Sequence, residues 1–240
     1  MRPAILTAAL GLFLAGCEDV DSSDVLTSGM WANISVQATG DGSSDAITIL
    51  KVGGATSNTY VEMTGDDALS ATLGEESLPQ AKESLGDFHQ YRASFSTAEP
   101  GVPYTVSFTR TVDEGAPETV VTLPEPFEID DPAAAEVPVE SFSRAAPITL
   151  TWGSSGTTDA MELWVTGDCI KPFYTEIAGD PGTYTLEADT IEPLDDDLEA
   201  SCTAVYLINR WNNGTLDLGY GEGGMARGLQ TRNLEMLTTP

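Results

Sequence analysis

The chain is short of the residues from which most catalytic and metal sites are built. Its 240 positions hold one histidine, His89, and three cysteines, Cys17, Cys169 and Cys202. A zinc site needs about four nitrogen or sulfur ligands, and neither cysteine of the second half has a further cysteine or histidine near it in sequence. A serine nucleophile needs a base. His89 stands in Asp87-Phe88-His89-Gln90, the chain has no Gly-x-Ser-x-Gly, and His89 reads as a surface or edge residue. Positive charge is equally scarce, with 10 Lys and Arg against 38 Asp and Glu and a net charge of −28. Such a surface repels nucleic acid and anionic headgroups, which excludes both as direct partners of the folded part. Hydrophobic residues make up 41% of the chain, too many for wholesale disorder.

Only one apolar run is long, and it lies at the start. Arg2 precedes Ala4 to Ala15, in which Thr7 is the one hydroxyl, and the run ends in Leu14-Ala15-Gly16-Cys17. A positive start, a short apolar stretch and small residues at its end form a secretory signal. The run is shorter than the roughly 20 residues that span a bilayer. Leu-Ala-Gly-Cys resembles the lipobox of bacterial lipoproteins. The resemblance implies that Cys17 is lipidated on sulfur, that residues 1–16 are removed, and that the new amino terminus is acylated, for example by palmitate. One acyl chain binds a membrane marginally; two or more hold firmly, at about 0.8 kcal/mol per buried methylene. In that family Asp after the cysteine marks retention at the inner membrane; Glu18 points instead to the outer membrane of the cell envelope. An ordinary signal peptide with an incidental cysteine is the alternative.

Residues 17–29 are polar and acidic and read as a flexible tether. Beyond them the dominant period is two. Ala32, Ile34 and Val36 alternate with polar neighbours, as do Leu69, Ala71 and Leu73, then Tyr91, Ala93 and Phe95, then Tyr104, Val106 and Phe108. Ile47 to Val52 is apolar on both sides. Turn clusters separate these runs, and strands at short regular spacing predict a β-sandwich. Glu75 to Gly86 is the one stretch suited to a helical turn. A change of composition at Leu123-Pro124-Glu125-Pro126 and Asp130-Asp131-Pro132 predicts a linker over 130–138 between a first sandwich at 30–129 and a second at 139–240. In the second half Ile148, Leu150 and Trp152 alternate, as do Met161, Leu163 and Val165. Cys202 to Trp211 is apolar on both faces and should be a central strand; Leu229 to Leu237 should be the last. Each half ends in a long strand closed by an arginine (Arg110, Arg210), a turn and a final apolar strand. This predicts either two related sandwiches or two unrelated β-domains.

Residues 137–238 resemble the immunoglobulin-like domains of exported bacterial proteins in strand pattern. Trp152 precedes Cys169 instead of lying between the cysteines, which departs from the family and makes a rim staple the expected bridge. Cys169 and Cys202 form one disulfide in the simplest reading for an exported protein, or stay as two buried thiols. Closing a loop of about 34 residues is worth roughly 4 kcal/mol.

The remaining candidates are loops. Gly219 to Gly228 holds five glycines with Tyr220, Glu222, Met225 and Arg227, and reads as a recognition loop or as a long hairpin with bulges. Calcium, which takes oxygen ligands, has candidates at Asp130 and Asp131 and at Asp195, Asp196 and Asp197, none in EF-hand spacing. Asp41 to Asp45 is a further acidic turn. Trp152, Trp164, Trp211 and Tyr220 fill the second core or, where exposed, grip sugars. The resulting expectation is an all-β, non-enzymatic, lipid-anchored envelope protein that binds or spaces, with a protein or glycan partner and no required cofactor. A calcium-stiffened adhesion stalk, and an exported enzyme or accessory subunit acting on envelope or extracellular polymers, are the alternatives.

Overall fold

The computed structural model describes residues 18–86, 88–132, 141–154, 156–194 and 201–240. Within these the chain is almost entirely β. The first half contains β1 (Glu18–Asp21), β2 (Met30–Ala38), β3 (Ser44–Val52), β4 (Thr59–Glu62), β5 (Ala68–Leu73), β6 (Glu76–Pro79), β7 (Ala81–Leu85), β8 (Phe88–Phe95), β9 (Pro103–Thr109) and β10 (Ala116–Thr122). The second contains β11 (Ile129–Asp131), β12 (Ser141–Ser143), β13 (Ile148–Trp152), β14 (Ala160–Gly167), β15 (Phe173–Ile177), β16 (Thr183–Leu186), β17 (Cys202–Asn213) and β18 (Met225–Thr239). The stretch read as a helical turn is instead β6 and β7, each antiparallel to a strand of the first half.

Alternation decides which side chains meet. Tyr104, Val106 and Phe108 on β9 are fully buried, and they face Ile34 and Val36 of β2 in one core. Leu150 and Trp152 of β13, Met161, Leu163 and Val165 of β14, and Tyr206 and Ile208 of β17 form a second core. Each core lies between two sheets, the sandwich arrangement that two-faced strands require. The sheet order β10-β9-β5-β6 covers the first core and β11-β13-β16 the second.

The opposing sheet is shared. Its strands run β1-β4-β3-β2-β18-β17-β14-β15 through both modules. Over Arg227–Thr238 β18 pairs antiparallel with β17, while Met225–Gln230 at its start also pair parallel with Asn33–Ala38 of β2. Tyr220 and Ala226 therefore belong to the first core, and Leu234 and Met236 to the second. A cut at 130–138 does not divide the chain into two self-contained sandwiches, because the first is completed by residues from the carboxyl-terminal hairpin. Of that expected linker, residues 133–138 lie outside the described residues.

The acidic segment after position 17 is also not a tether where it is described. Glu18–Asp21 pair in parallel with Thr59–Glu62. Ser22 and Thr27, in two short 3-10 turns, are buried. The cause is Arg110. Its fully buried guanidinium pairs with Asp67 at 3.0 Å and donates to the carbonyl oxygens of Val25 (2.8 Å) and Ser22. Burying this cation requires such partners, and the amino-terminal backbone supplies them.

Cys169 and Cys202 form a disulfide, with Cα atoms 5.8 Å apart. Cys169 follows the end of β14 and Cys202 opens β17, so the bridge staples two neighbouring strands of one sheet at its rim.

Candidate functional site

The outward face of β14, β15 and β17 carries large side chains where a solvated sheet normally presents small polar ones. While Met161, Leu163 and Val165 point into the core, Glu162 and Trp164 point away from it. Trp164 lies opposite Tyr174 of β15 and Leu207 of β17. The Trp164 and Tyr174 rings meet at 4.2 Å between centroids and remain 41% and 43% exposed as residues. The next row along the strands is polar: Glu176, Glu162, Asn209 and Thr231 are successive cross-strand partners. Asn209 donates its amide to Glu162 at 2.7 Å, and Thr231 donates its hydroxyl to Asn209 at 2.7 Å. These three residues are buried although they lie on the outer face. The Tyr174 hydroxyl donates to Glu176 Oε1 at 3.0 Å. Desolvation first, then that bond and the charges of Glu162 and Glu176, push this phenol up to about 12, while Arg227 pulls it down.

The third row begins with Trp211, opposite Ala160. The guanidinium of Arg227 lies 4.2 Å from the Trp211 ring centroid. Where β14 begins, a cleft of about 250 Å³ opens beside Trp211, lined by Thr158, Asp159, Ala160, Asn212 and Asn213. Trp211 Nε1, a donor, and Asn212 Oδ1, an acceptor, have no hydrogen-bond partner among the described residues.

The stretch that reads as a recognition loop or a long bulged hairpin connects the paired strands β17 and β18 and is largely docked. Tyr220 is buried and its ring stacks parallel to Phe108 at 6.3 Å in the first core. Thr215 exchanges two backbone bonds with Val120, Gly221 donates to Met30 O at 2.8 Å, and Trp31 donates to Gly223 O at 2.6 Å. The glycines serve close approach: a Cβ on Gly221 would lie 2.9 Å from Ser28 O, and one on Gly224 would lie 2.7 Å from Ala32 O. Glu222 is exposed, whereas Met225 and Arg227 are half-buried residues of β18. Of the four, Arg227 alone reaches the aromatic face. Trp164 and Trp211 stand out in the sequence as aromatics, but their rows do not, because these are set by the register of four strands. Trp152 is in the second core, donating to Asp180 Oδ1 at 2.7 Å.

Among the described residues, no group of three or more His, Cys, Asp or Glu is placed to hold a metal ion. Asp130 and Asp131 are exposed on β11. Asp130 lines a cleft of about 360 Å³ whose buried wall is Arg210, a cation that opposes calcium there. Asp195, Asp196 and Asp197, and the lipidation candidate Cys17, lie outside the described residues. Asp41 accepts from the Ser43 backbone and hydroxyl and is held below the usual carboxylate range by those bonds. His89 contacts Ser84 Oγ through Nδ1 at 2.9 Å and Asp19 Oδ1 through Nε2 at 3.3 Å. Lys82 also pairs with Asp19, at 3.5 Å. Ser84 and His89 are directly opposite on the β7–β8 hairpin, and together with Lys82 they tie β1 to it.

No protein-family model matches the chain, and no curated protein matches it. Solved structures that it is similar to include one described as a cytokine receptor complex, at 9% identity and a TM-score of 0.29, covering 85% of this chain and 94% of that one. A three-Ig structure of titin is similar at 10% identity and a TM-score of 0.23, covering 87% of this chain and 64% of that one. Titin domains in complex with telethonin are similar at 10% identity and a TM-score of 0.22, covering 90% and 97%. At these scores the fold rests on the strand pairing and the two cores already described.

Proposed function

We propose that this chain is an exported lipoprotein, anchored through Cys17 at the cell envelope, that acts without catalysis as a binding module. Sandwich modules serve as scaffolds for sites on their faces, so the function is argued from the site and not from the fold. The observation that carries binding is the pair Trp164 and Tyr174, exposed side by side on a sheet face whose next row is locked by hydrogen bonds. Exposed aromatics on a rigid support mark recognition surfaces. The anchor rests on Leu14-Ala15-Gly16-Cys17 at the end of the apolar run. Glu18, directly after it, is already paired in β1, so lipid on Cys17 holds the body close to the bilayer, at the edge formed by β1 and β4. The contacts of His89 with Ser84 and Asp19 support a structural role, since they fasten that edge strand.

The test is fractionation of cells making the full chain or its Cys17→Ser variant, with labelled palmitate in the medium. The unaltered chain takes up label and sediments with envelopes. The variant takes up none and stays in the soluble fraction. Equal sedimentation of the two would overturn the anchor.

A further inference from the structure

The geometry points to a neutral oligosaccharide as the ligand of the outer face, lying from the Trp211 cleft to the Trp164–Tyr174 pair. This rests on the reading of that face as the binding face. Three features define the ligand chemistry. The first is shape. Ala160, Glu162 and Trp164 lie on one face of β14, so the site extends over four residue steps, about 13 Å at about 3.3 Å per step. That length suits a chain of sugar rings better than a single ring. The second is the order of chemistries. An aromatic row, a polar row and a second aromatic row follow one another along the strands. Pyranose rings present apolar C–H faces and polar edges in alternation; the first stack on exposed rings and the second hydrogen-bond to amide and carboxylate groups. Glu176 accepts at the edge of the aromatic pair, and Arg227, over the Trp211 ring, carries donors at the other end.

The third feature is the unmatched donor at the cleft. Trp211 Nε1 has no partner among the described residues, and Trp211 lines the 250 Å³ opening with Thr158 and Asp159. A ligand hydroxyl can accept from it, which an apolar ligand cannot do. Charge then selects among sugars. Glu162, Glu176 and Asp159 surround the site, Arg227 is the basic residue facing it, and the whole chain carries −28. Uronic-acid and phosphorylated polymers are repelled, and uncharged glycans are not.

The experiment uses the full chain in detergent, with cellohexaose and chitohexaose as neutral probes and polygalacturonate as the anionic one. Binding is read by calorimetry and by tryptophan fluorescence. At least one neutral hexasaccharide binds with quenching or a spectral shift, and polygalacturonate does not bind. Trp164→Ala weakens binding about tenfold, and Trp211→Phe, which removes the Nε1 donor, weakens it severalfold. Should Trp164→Ala fail to fold, Tyr174→Leu serves in its place, because it keeps an apolar contact with Trp164 while removing the ring and the hydroxyl. The assignment is overturned if neither neutral probe binds at millimolar concentration, if binding is unchanged in the folded variants, or if polygalacturonate binds as tightly. Each of these results leaves the membrane association of the Cys17→Ser test unaffected, so the ligand class and the anchor fail separately.

Discussion

Arg210 and Gln230 stand directly opposite each other on β17 and β18 and together hold the connector between the two sandwich cores. Gln230 donates to Pro124 O at 3.2 Å, and Arg210 donates to Glu125 O at 2.8 Å and Pro126 O at 3.0 Å. Arg210 also pairs with the buried carboxylate of Asp180 at 2.8 Å and lies over the Phe127 ring at 4.9 Å. Arg110 repeats the pattern in the first module, with Asp67 as its carboxylate and Phe108 as its ring. The modules are thus joined by a cation fixed in low dielectric.

The first prediction follows from that pair. Arg210→Met removes the cation and leaves Asp180 buried with Trp152 as its neutral donor. Breaking one side of a buried ion pair costs about 3–5 kcal/mol. Urea unfolding should show a loss of that size, and Asp180→Asn added to Arg210→Met should recover part of it. A loss below about 1 kcal/mol would mean that the guanidinium does not clamp the connector.

Half of this arrangement was legible beforehand. Tyr104, Val106 and Phe108 alternate, and all three are core. Cys202 to Trp211 is apolar on both faces, and β17 is central, flanked by β14 and β18. The pairing of Met225–Gln230 with Asn33–Ala38 was not legible, because parallel pairing between segments so far apart leaves no local turn signal. The glycines of 219–228 suit a long bulged hairpin or a recognition loop, and β17 and β18 do form that hairpin; the docking of its connection was not legible, since in sequence a glycine needed for close approach looks like one needed for flexibility. Ser22 and Thr27 looked like tether residues because the group that buries them, Arg110, is more than eighty positions away. The candidate site was half visible: Trp164 and Trp211 stood out by type, but the polar row between them exists only through strand register.

The shared strand yields a second prediction. Gly228 faces inward on β18 where β10 crosses, and a Cβ there would lie 1.8 Å from Thr122 O and 2.8 Å from its carbonyl carbon. Backbone atoms cannot rotate away as a side chain does, so Gly228→Ala must push β10 off the sheet. Overpacking of this kind costs typically about 1–3 kcal/mol and sometimes more. Thermal unfolding should register the loss, and hydrogen exchange should place the first opening in β9 and β10 and not in β13 or β16. Unchanged stability would show that the two sheets are not in contact at Gly228.

The disulfide yields a third. Cys169 and Cys202 are separated by 33 positions. The chain-entropy model assigns a loop of that size roughly 4 kcal/mol. Reductant, or the Cys169→Ala/Cys202→Ala double variant, should lower the melting temperature of the second module. The double variant of Lys82 and His89 to Ala, on the opposite module, should leave that transition in place, since those residues fasten β1 and β4 of the first module. A melting curve insensitive to reductant would mean that the staple contributes no stability.

The last prediction concerns alkaline pH. Tyr206 is fully buried in the second core, its hydroxyl has no partner among the described residues, and burial pushes the phenol up to about 12, with Arg144 opposing. The folded state therefore keeps this proton more tightly than the unfolded chain, whose tyrosines titrate near 10. Stability from this group is complete below pH 10 and is lost as the pH rises toward 12, by up to about 3 kcal/mol over the two units. Tyr91 and Tyr104 are raised in the same direction by burial and add to the slope. Tyr206→Phe removes the titrating group together with an unsatisfied hydroxyl. It should leave stability at pH 7 unchanged or slightly increased and flatten the decline above pH 10. Unfolding free energies measured in urea from pH 7 to 11.5 test this directly: parallel curves for the two proteins would exclude Tyr206 as a source of the alkaline transition.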